Sequence, residues 1–178
     1  MSKAAQVKAP WLNSRDPGVP ATLNYSTLSM CSRVEEMVRR YPDYIAYEFM
    51  GKCTTYAEMW KKINACAKSL KAIGIREGDK VTICMPNAPQ TLCMFYAVNM
   101  VGAIANMVHP LSAESEIAFY LRDSGSVAAI TMDQFYPKFE SARKAGALPC
   151  LIVTSVAVML PESSTVILNF FVLPLVED

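Results

Sequence analysis

The apolar positions change period several times along the chain, and each change marks an element. From Leu28 to Tyr41 the residues Met30, Val34, Met37, Val38 and Tyr41 share one helical face. Glu35/Arg39 and Glu36/Arg40 form i,i+4 pairs on the other side, and Pro42 ends the run. "IAYEFMGKCTTY" predicts a hairpin of two short strands turned at Gly51-Lys52. Thr55 and Glu58 then have the spacing of a capping box, each side chain answering an orphan amide of the opening turn. The helix behind them places Met59, Ile63, Cys66, Ala67, Leu70 and Ile73 on one stripe. Lys61, Lys62, Lys68 and Lys71 lie outside it as a solvated face, and Gly74 supplies a stop.

Beyond residue 79 the pattern becomes strand, helix, strand. "KVTICM" is rich in β-branched residues, and the helix from about Ala88 to Val101 is apolar almost all round. Asn87 is placed to cap that helix and Gly102 to end it. "AIANMV" is the next strand. Ser112 stands where it could cap a helix whose Ile117, Tyr120 and Leu121 share a face. "VAAIT", a cap at Asp133, a helix over 134–145 and the strand "CLIVT" at 150–154 complete the pattern. Such alternation predicts an α/β fold: an open, mostly parallel sheet with helices on both faces. It is preceded by an N-terminal extended segment (1–27, with Trp11 and Leu12 tacking it to the body), a helix and a β-hairpin.

Composition narrows the classes. The chain has 178 residues and a net charge of +1, with no clustering of basic residues on one predicted face, which excludes an electrostatic case for nucleic acid. Cys31, Cys53, Cys66, Cys84, Cys93 and Cys150 include no Cys-x-x-Cys pair, and His109 is the lone histidine, so no metal-ligand spacing exists. Unpaired cysteines on apolar faces fit a reduced, cytoplasmic compartment. Lys3 and Lys8 have no apolar run behind them, so no signal peptide is expected.

The search for chemistry is mostly negative. Gly18, Gly51, Gly74, Gly78, Gly102, Gly125 and Gly146 include no Gly-x-Gly and no Gly-Lys-Ser/Thr. His109 could act as a general base, but with no Ser, Cys or Asp partner in view it reads better as a polar residue closing a strand before a proline. Asp133 reads as a helix cap, and the methionines as core filler more than as the lining of a greasy ligand slot. Catalytic, cofactor-binding and metal residues are all expected to be none.

"TTYAEMWKKINACAKSLKAIGIREGDKVTICMPNAPQ" and "YAVNMVGAIANMVHPLSAESEIAFYLRDSGSVAAIT" nevertheless carry a resemblance. Thr55-Tyr56 with Glu58, Gly74, Gly78-Asp79, Pro86-Asn87, Gly102-Ala103, Pro110-Leu111, Glu114, Glu116, Leu121 and Asp123-Ser124 follow one another as in the opening of AMP-forming acyl-CoA synthetases, the adenylate-forming ligases. The likeness covers roughly residues 22 to 155. His109 stands where that family usually has Asn.

The resemblance implies ATP, Mg²⁺ and coenzyme A as cofactors of the full-length family. It also implies a small-molecule carboxylic acid as substrate, activated as an acyl-adenylate and passed to the thiol. The family's phosphate loop is not found. Residues 147–178 contain no glycine, and no basic residue follows Lys144. Ser163, Ser164 and Thr165 imitate that loop's composition beside Pro161 and Glu162. The chain therefore divides into a lead-in (1–27), an incomplete N-terminal α/β part of an AMP-binding ligase domain (28–155) and an apolar tail (156–178). A pair of β-rich strands is one reading of that tail, whose structure is left open, and a truncated or frame-shifted reading frame is the preferred account of it. Membrane contact by it is disfavoured, because each apolar run is short of the ~20 residues that a spanning helix needs.

The expectation is an acyl-CoA synthetase piece that is inactive alone. The alternative is a non-catalytic interaction module pairing with a separately encoded remainder of the enzyme. A marginally stable, aggregation-prone product follows from either.

Overall fold

The computed structural model describes residues 9–144, 148–155 and 171–173. The expected helix is α1 (Met30–Arg40), whose N-cap Ser29 accepts from the Ser32 amide. Glu35 pairs with Arg39 at 3.9 Å, while Glu36 turns back to Arg33 at 2.8 Å instead of reaching Arg40. The hairpin strands β1 (Ile45–Phe49) and β2 (Lys52–Thr55) are antiparallel. Their turn sits one residue earlier than the sequence suggests, at Met50-Gly51, because Lys52 already pairs with Phe49. Both turn residues have positive φ (50° and 76°), the twist that a two-residue hairpin loop needs. The capping box forms: the Thr55 amide donates to Glu58 Oε2 at 2.9 Å and Thr55 Oγ1 accepts from the Glu58 amide. It opens α2 (Tyr56–Ala72), which buries Met59, Ile63, Cys66, Ala67 and Leu70. Trp11 and Leu12 are exposed in a short 3₁₀ turn over Pro10–Ser14, so they do not tack the lead-in to the body.

The second sheet has the order β4-β3-β5-β6-β7, formed by β3 (Lys80–Cys84), β4 (Ile104–Met107), β5 (Ala128–Met132), β6 (Cys150–Thr154) and β7 (Phe171–Leu173). The first four run parallel, and β7 joins β6 antiparallel. β7 falls within the stretch set apart as a tail and adds one antiparallel strand to the mostly parallel sheet. The readings made on residues 156–170 and 174–178 lie outside the described residues.

Two helix layers cover the sheet, as its two-sided burial demands. On one face α2 and α3 (Pro89–Val101) meet Val81, Ile83, Ala128, Ile130, Met132 and Ile152. On the other α4 (Glu114–Ser124) and α5 (Tyr136–Lys144) bring Ile117, Leu121, Phe139 and Ala142 against Cys84, Ala129 and Leu151. Tyr120 does not share the buried stripe; it is exposed, and α4 buries the i,i+4 pair Ile117 and Leu121. A short 3₁₀ turn over Asp133–Phe135 precedes α5.

Under α4 lies a polar chain with one consistent direction. Asn106 Nδ2 donates to Thr82 Oγ1 (3.0 Å), which leaves that hydroxyl to donate to Ser126 Oγ (2.7 Å). Ser126 in turn faces Ser124 Oγ at 2.8 Å, and Ser124 donates to the Leu121 carbonyl. Each hydroxyl gives one bond and takes one, so the buried polar groups are satisfied and the end of α4 is fixed over β3 and β4.

Gly102 closes α3 with φ +85°, and its amide donates to Asn99 O. A Cβ there would meet Glu77 Cγ at 3.0 Å. Glu77 is exposed and can move, so the left-handed backbone is the larger obstacle. We expect Gly102→Ala to lower stability by about 1–2 kcal/mol in chemical denaturation. No loss would show that this turn tolerates a side chain.

Candidate functional site

Open α/β sheets bind ligands outside the carboxyl ends of their strands, where strand order reverses. Here β3 leads by α3 to β4 on one side, and β4 leads by α4 to β5 on the other, so the reversal lies between β3 and β5. The segment after β3 and the turn after β5 flank that point. A cavity of about 490 Å³ opens there, lined by Met85, Pro86, Asn87, the 107–111 stretch and Phe135. Its neighbour, about 460 Å³ and mostly apolar, lies between the hairpin and the start of α3, with Tyr47, Phe49, Leu92, Phe95 and Tyr96 on its walls. Asn87 and Met107 line both.

The sequence explains why this crevice is apolar and poor in donors. "MPNAPQ" holds two prolines, which carry no N–H. The N-cap of α3 is Ala88, which offers no side-chain acceptor, so Asn87 does not cap the helix. Pro89 at the first helical position presets the backbone, and Thr91 Oγ1 donates back to the Pro86 carbonyl at 2.6 Å. After β4 the cap of α4 is likewise Ala113 and not Ser112; its amide donates to Glu116 Oε2 at 2.9 Å. Lys138 braces this loop from α5, donating to the carbonyls of Pro110 (3.1 Å) and Ser112 (2.7 Å).

His109 is exposed and lines the 490 Å³ cavity, with Nδ1 accepting the Leu111 amide at 3.2 Å. Asp133 starts the turn after β5 and accepts the Gln134 amide at 2.8 Å. The structure brings His109, Asn87 and Pro110 to one rim without a carboxylate or nucleophile among that cavity's lining residues. Met85 and Met107 also face this cavity, whereas Met59, Met94 and Met132 fill the core. Lys61, Lys68 and Lys71 are solvated. Lys62 is not, since it reaches Tyr47 Oη at 3.3 Å and ties α2 to the hairpin.

Gln90 is the residue that sequence reading missed. Its carboxamide is fully buried, Nε2 donating to the Ser155 carbonyl at 3.1 Å, so it fixes the direction in which the chain leaves β6. Oε1 of Gln90 and Oγ1 of buried Thr154 have no partner among the described residues. A glutamine at the start of an apolar helix was the available signal. Among the described residues no group of His, Cys, Asp and Glu is placed to hold a metal ion. Among the described residues the crevice presents a hydrophobic wall with a few polar side chains, Glu48, Asn87, Thr91 and His109.

Comparison with known proteins supplies the class. The pattern of the family described as AMP-binding enzyme matches residues 34–169, beyond the 155 at which the likeness was expected to stop. The chain belongs to this family. More closely, it is 30% identical over 156 residues to a long-chain-fatty-acid–CoA ligase of Bacillus subtilis, covering 88% of this chain and 28% of that enzyme. The Escherichia coli O6:H1 counterpart is 29% identical over 168 residues, covering 93% of this chain and 30% of the enzyme.

Among solved structures, a Mycobacterium tuberculosis fatty acyl CoA synthetase aligns with TM-score 0.60 and 32% identity, over 62% of this chain and 22% of that one. The N-terminal domain of FACL13 from the same organism aligns with TM-score 0.66 and 26% identity, over 80% of this chain and 38% of that one. The chain thus spans under a third of the length of the curated ligases it matches.

Proposed function

We propose that the chain supplies the N-terminal α/β part of an AMP-forming carboxylate–CoA ligase of the fatty-acid type and that it does not catalyse adenylation by itself. The observation that carries this is the continuous family match over residues 34–169 together with the fatty-acid ligases it resembles. The crevice fits that role as scaffold. Its walls offer apolar surface, while the six residues after β3 hold too few amides to wrap a triphosphate. ATP, Mg²⁺ and coenzyme A would be held by residues outside this chain, and no residue described here is assigned to them. The six thiols are unpaired, in keeping with a reduced, cytoplasmic setting. No helix among the described residues is long and apolar enough to cross a membrane.

The test is carboxylate-dependent exchange of pyrophosphate into ATP by the purified chain with long-chain fatty acids and Mg²⁺. We expect no exchange above the no-enzyme rate. Measurable exchange would overturn the claim that adenylation needs more than this chain. A second reading, a scaffold that pairs with a separately encoded remainder, is favoured by the two open apolar cavities meeting at Met107. It predicts that activity emerges only in a mixture of the two chains.

A further inference from the structure

The outer edge of β4 has no partner strand among the described residues, and β4 itself, Ile-Ala-Asn-Met, carries no charge or proline to guard it. Its backbone phase is fixed by the inner neighbour. The amides of Ile104 and Val108 donate inward, to Asp79 O (2.7 Å) and Ile83 O (3.0 Å). By the alternation of a strand, Ala105 and Met107 turn their N–H and C=O groups outward. Side chains alternate as well. Ala105 and Met107 lie opposite Val81 and Ile83 on the α2–α3 face, and Ile104 and Asn106 lie opposite Lys80 and Thr82 on the α4 face. Ile104 is 53% and Met107 50% exposed.

We propose that this edge pairs with a second copy of the chain, β4 to β4, antiparallel about a two-fold axis through Asn106. One parity rule, met on both the side chains and the backbone, limits the register, and the length of the strand then chooses among the registers that obey it. An axis perpendicular to the sheet keeps each face on its own side, so only residues of the same parity can stand opposite one another. The residues that face each other as a hydrogen-bonded pair must also be those with outward groups, Ala105 and Met107.

Centring on Ala105 or Met107 would obey that rule as well, but only centring on Asn106 sets both outward residues opposite partners inside the strand. Ala105 then pairs with Met107 of the second copy and exchanges both bonds, and the symmetric pair does the same. A large side chain stands opposite a small one on the aromatic-walled face beside Phe95 and Tyr96. Ile104 meets Val108 on the other face. A slip by one residue would put outward groups opposite inward ones. The near-zero net charge of +1 sets little repulsion against self-association. The inference concerns the edge alone and stands apart from the ligase reading, because its test uses no nucleotide or acid.

The experiment is light scattering on the size-excluded chain across a dilution series, under reductant so that the free thiols form no cross-links, with amide exchange read on the same samples. A reversible dimer is expected, with the Ala105 and Met107 amides protected in the dimer and exchanging fast on dilution. Ala105→Pro removes an outward amide that the inner ladder does not use, and Met107→Lys puts a charge into the pairing face. Each should abolish the dimer while leaving the far-ultraviolet circular dichroism unchanged. A monomer at every concentration overturns the proposal. So does a dimer in which the Ala105 and Met107 amides exchange freely, or one that survives Met107→Lys.

Discussion

Phe139→Ala is expected to lower the unfolding free energy by about 3–5 kcal/mol. Among the described residues Phe139 is the largest side chain held completely out of solvent. It projects from α5, a helix of nine residues, into the cluster of Cys84, Ile117, Leu121, Ala129, Leu148 and Leu151. This layer rests on two short helices, and α5 buries only Phe139 and Ala142. Removing the ring would therefore empty the centre of the layer without a neighbour large enough to refill it. A loss of that size is a large fraction of the roughly 5–15 kcal/mol that holds an ordinary domain together. Phe119→Ala on neighbouring α4 is the internal contrast, since Phe119 is 54% exposed and touches Tyr120 at its outer side. Its effect should stay within about 0.5 kcal/mol. Urea titration of the two variants decides the matter. Equal losses would mean that the α4–α5 layer is not packed as described.

What could be read from the chain depends on the distance over which each feature is determined. The Thr55–Glu58 box was legible because both partners lie within one helical turn and use only each other's backbone. The same logic failed at Asn87 and Ser112. In both places a proline or a returning acid satisfied the opening turn, and an alanine took the cap position. At the hairpin, Gly51 marked the turn correctly, but cross-strand pairing of Phe49 with Lys52 fixed its phase. The number and order of parallel strands up to Thr154 follow from period and length. Their spatial order, with β3 between β4 and β5, does not, since it depends on which face each crossover helix takes. The crevice was least legible. Its walls come from residues near 47, 87–96, 107–111 and 135, which no local pattern connects. Gln90 and Ser155, 65 positions apart, belong to the same category.

Alkaline pH offers the sharpest test of both faces of the sheet, since Cys66 and Cys93 lie on the α2–α3 side and Cys84 on the α4–α5 side. Burial raises the Cys66 thiol from 9.0 to about 12, and neighbouring Cys93 pushes in the same direction. Burial raises Cys93 to about 11, with Lys62 opposing, and raises Cys84 to about 11, with Lys138 opposing. In the unfolded chain these thiols ionise near their ordinary value, so above about pH 9 the unfolded state sheds protons that the native state keeps. Fewer protons bound by the unfolded state means that stability falls as pH rises. The contribution is complete below pH 9 and is lost progressively up to 11–12, at up to about 1.4 kcal/mol per pH unit for each thiol. Chain-wide lysine and tyrosine titration overlaps this window, so the informative quantity is a difference in slope. Cys93→Ala should start less stable at pH 8 yet lose less between pH 9 and 11 than the parent chain. Parallel pH profiles for the two would show that Cys93 is hydrated in the native state, contrary to its place between α2 and α3. Reactivity gives the same reading at neutral pH: exposed Cys53 should be modified at once by a thiol reagent, and buried Cys66, Cys84 and Cys93 only as fast as the chain opens.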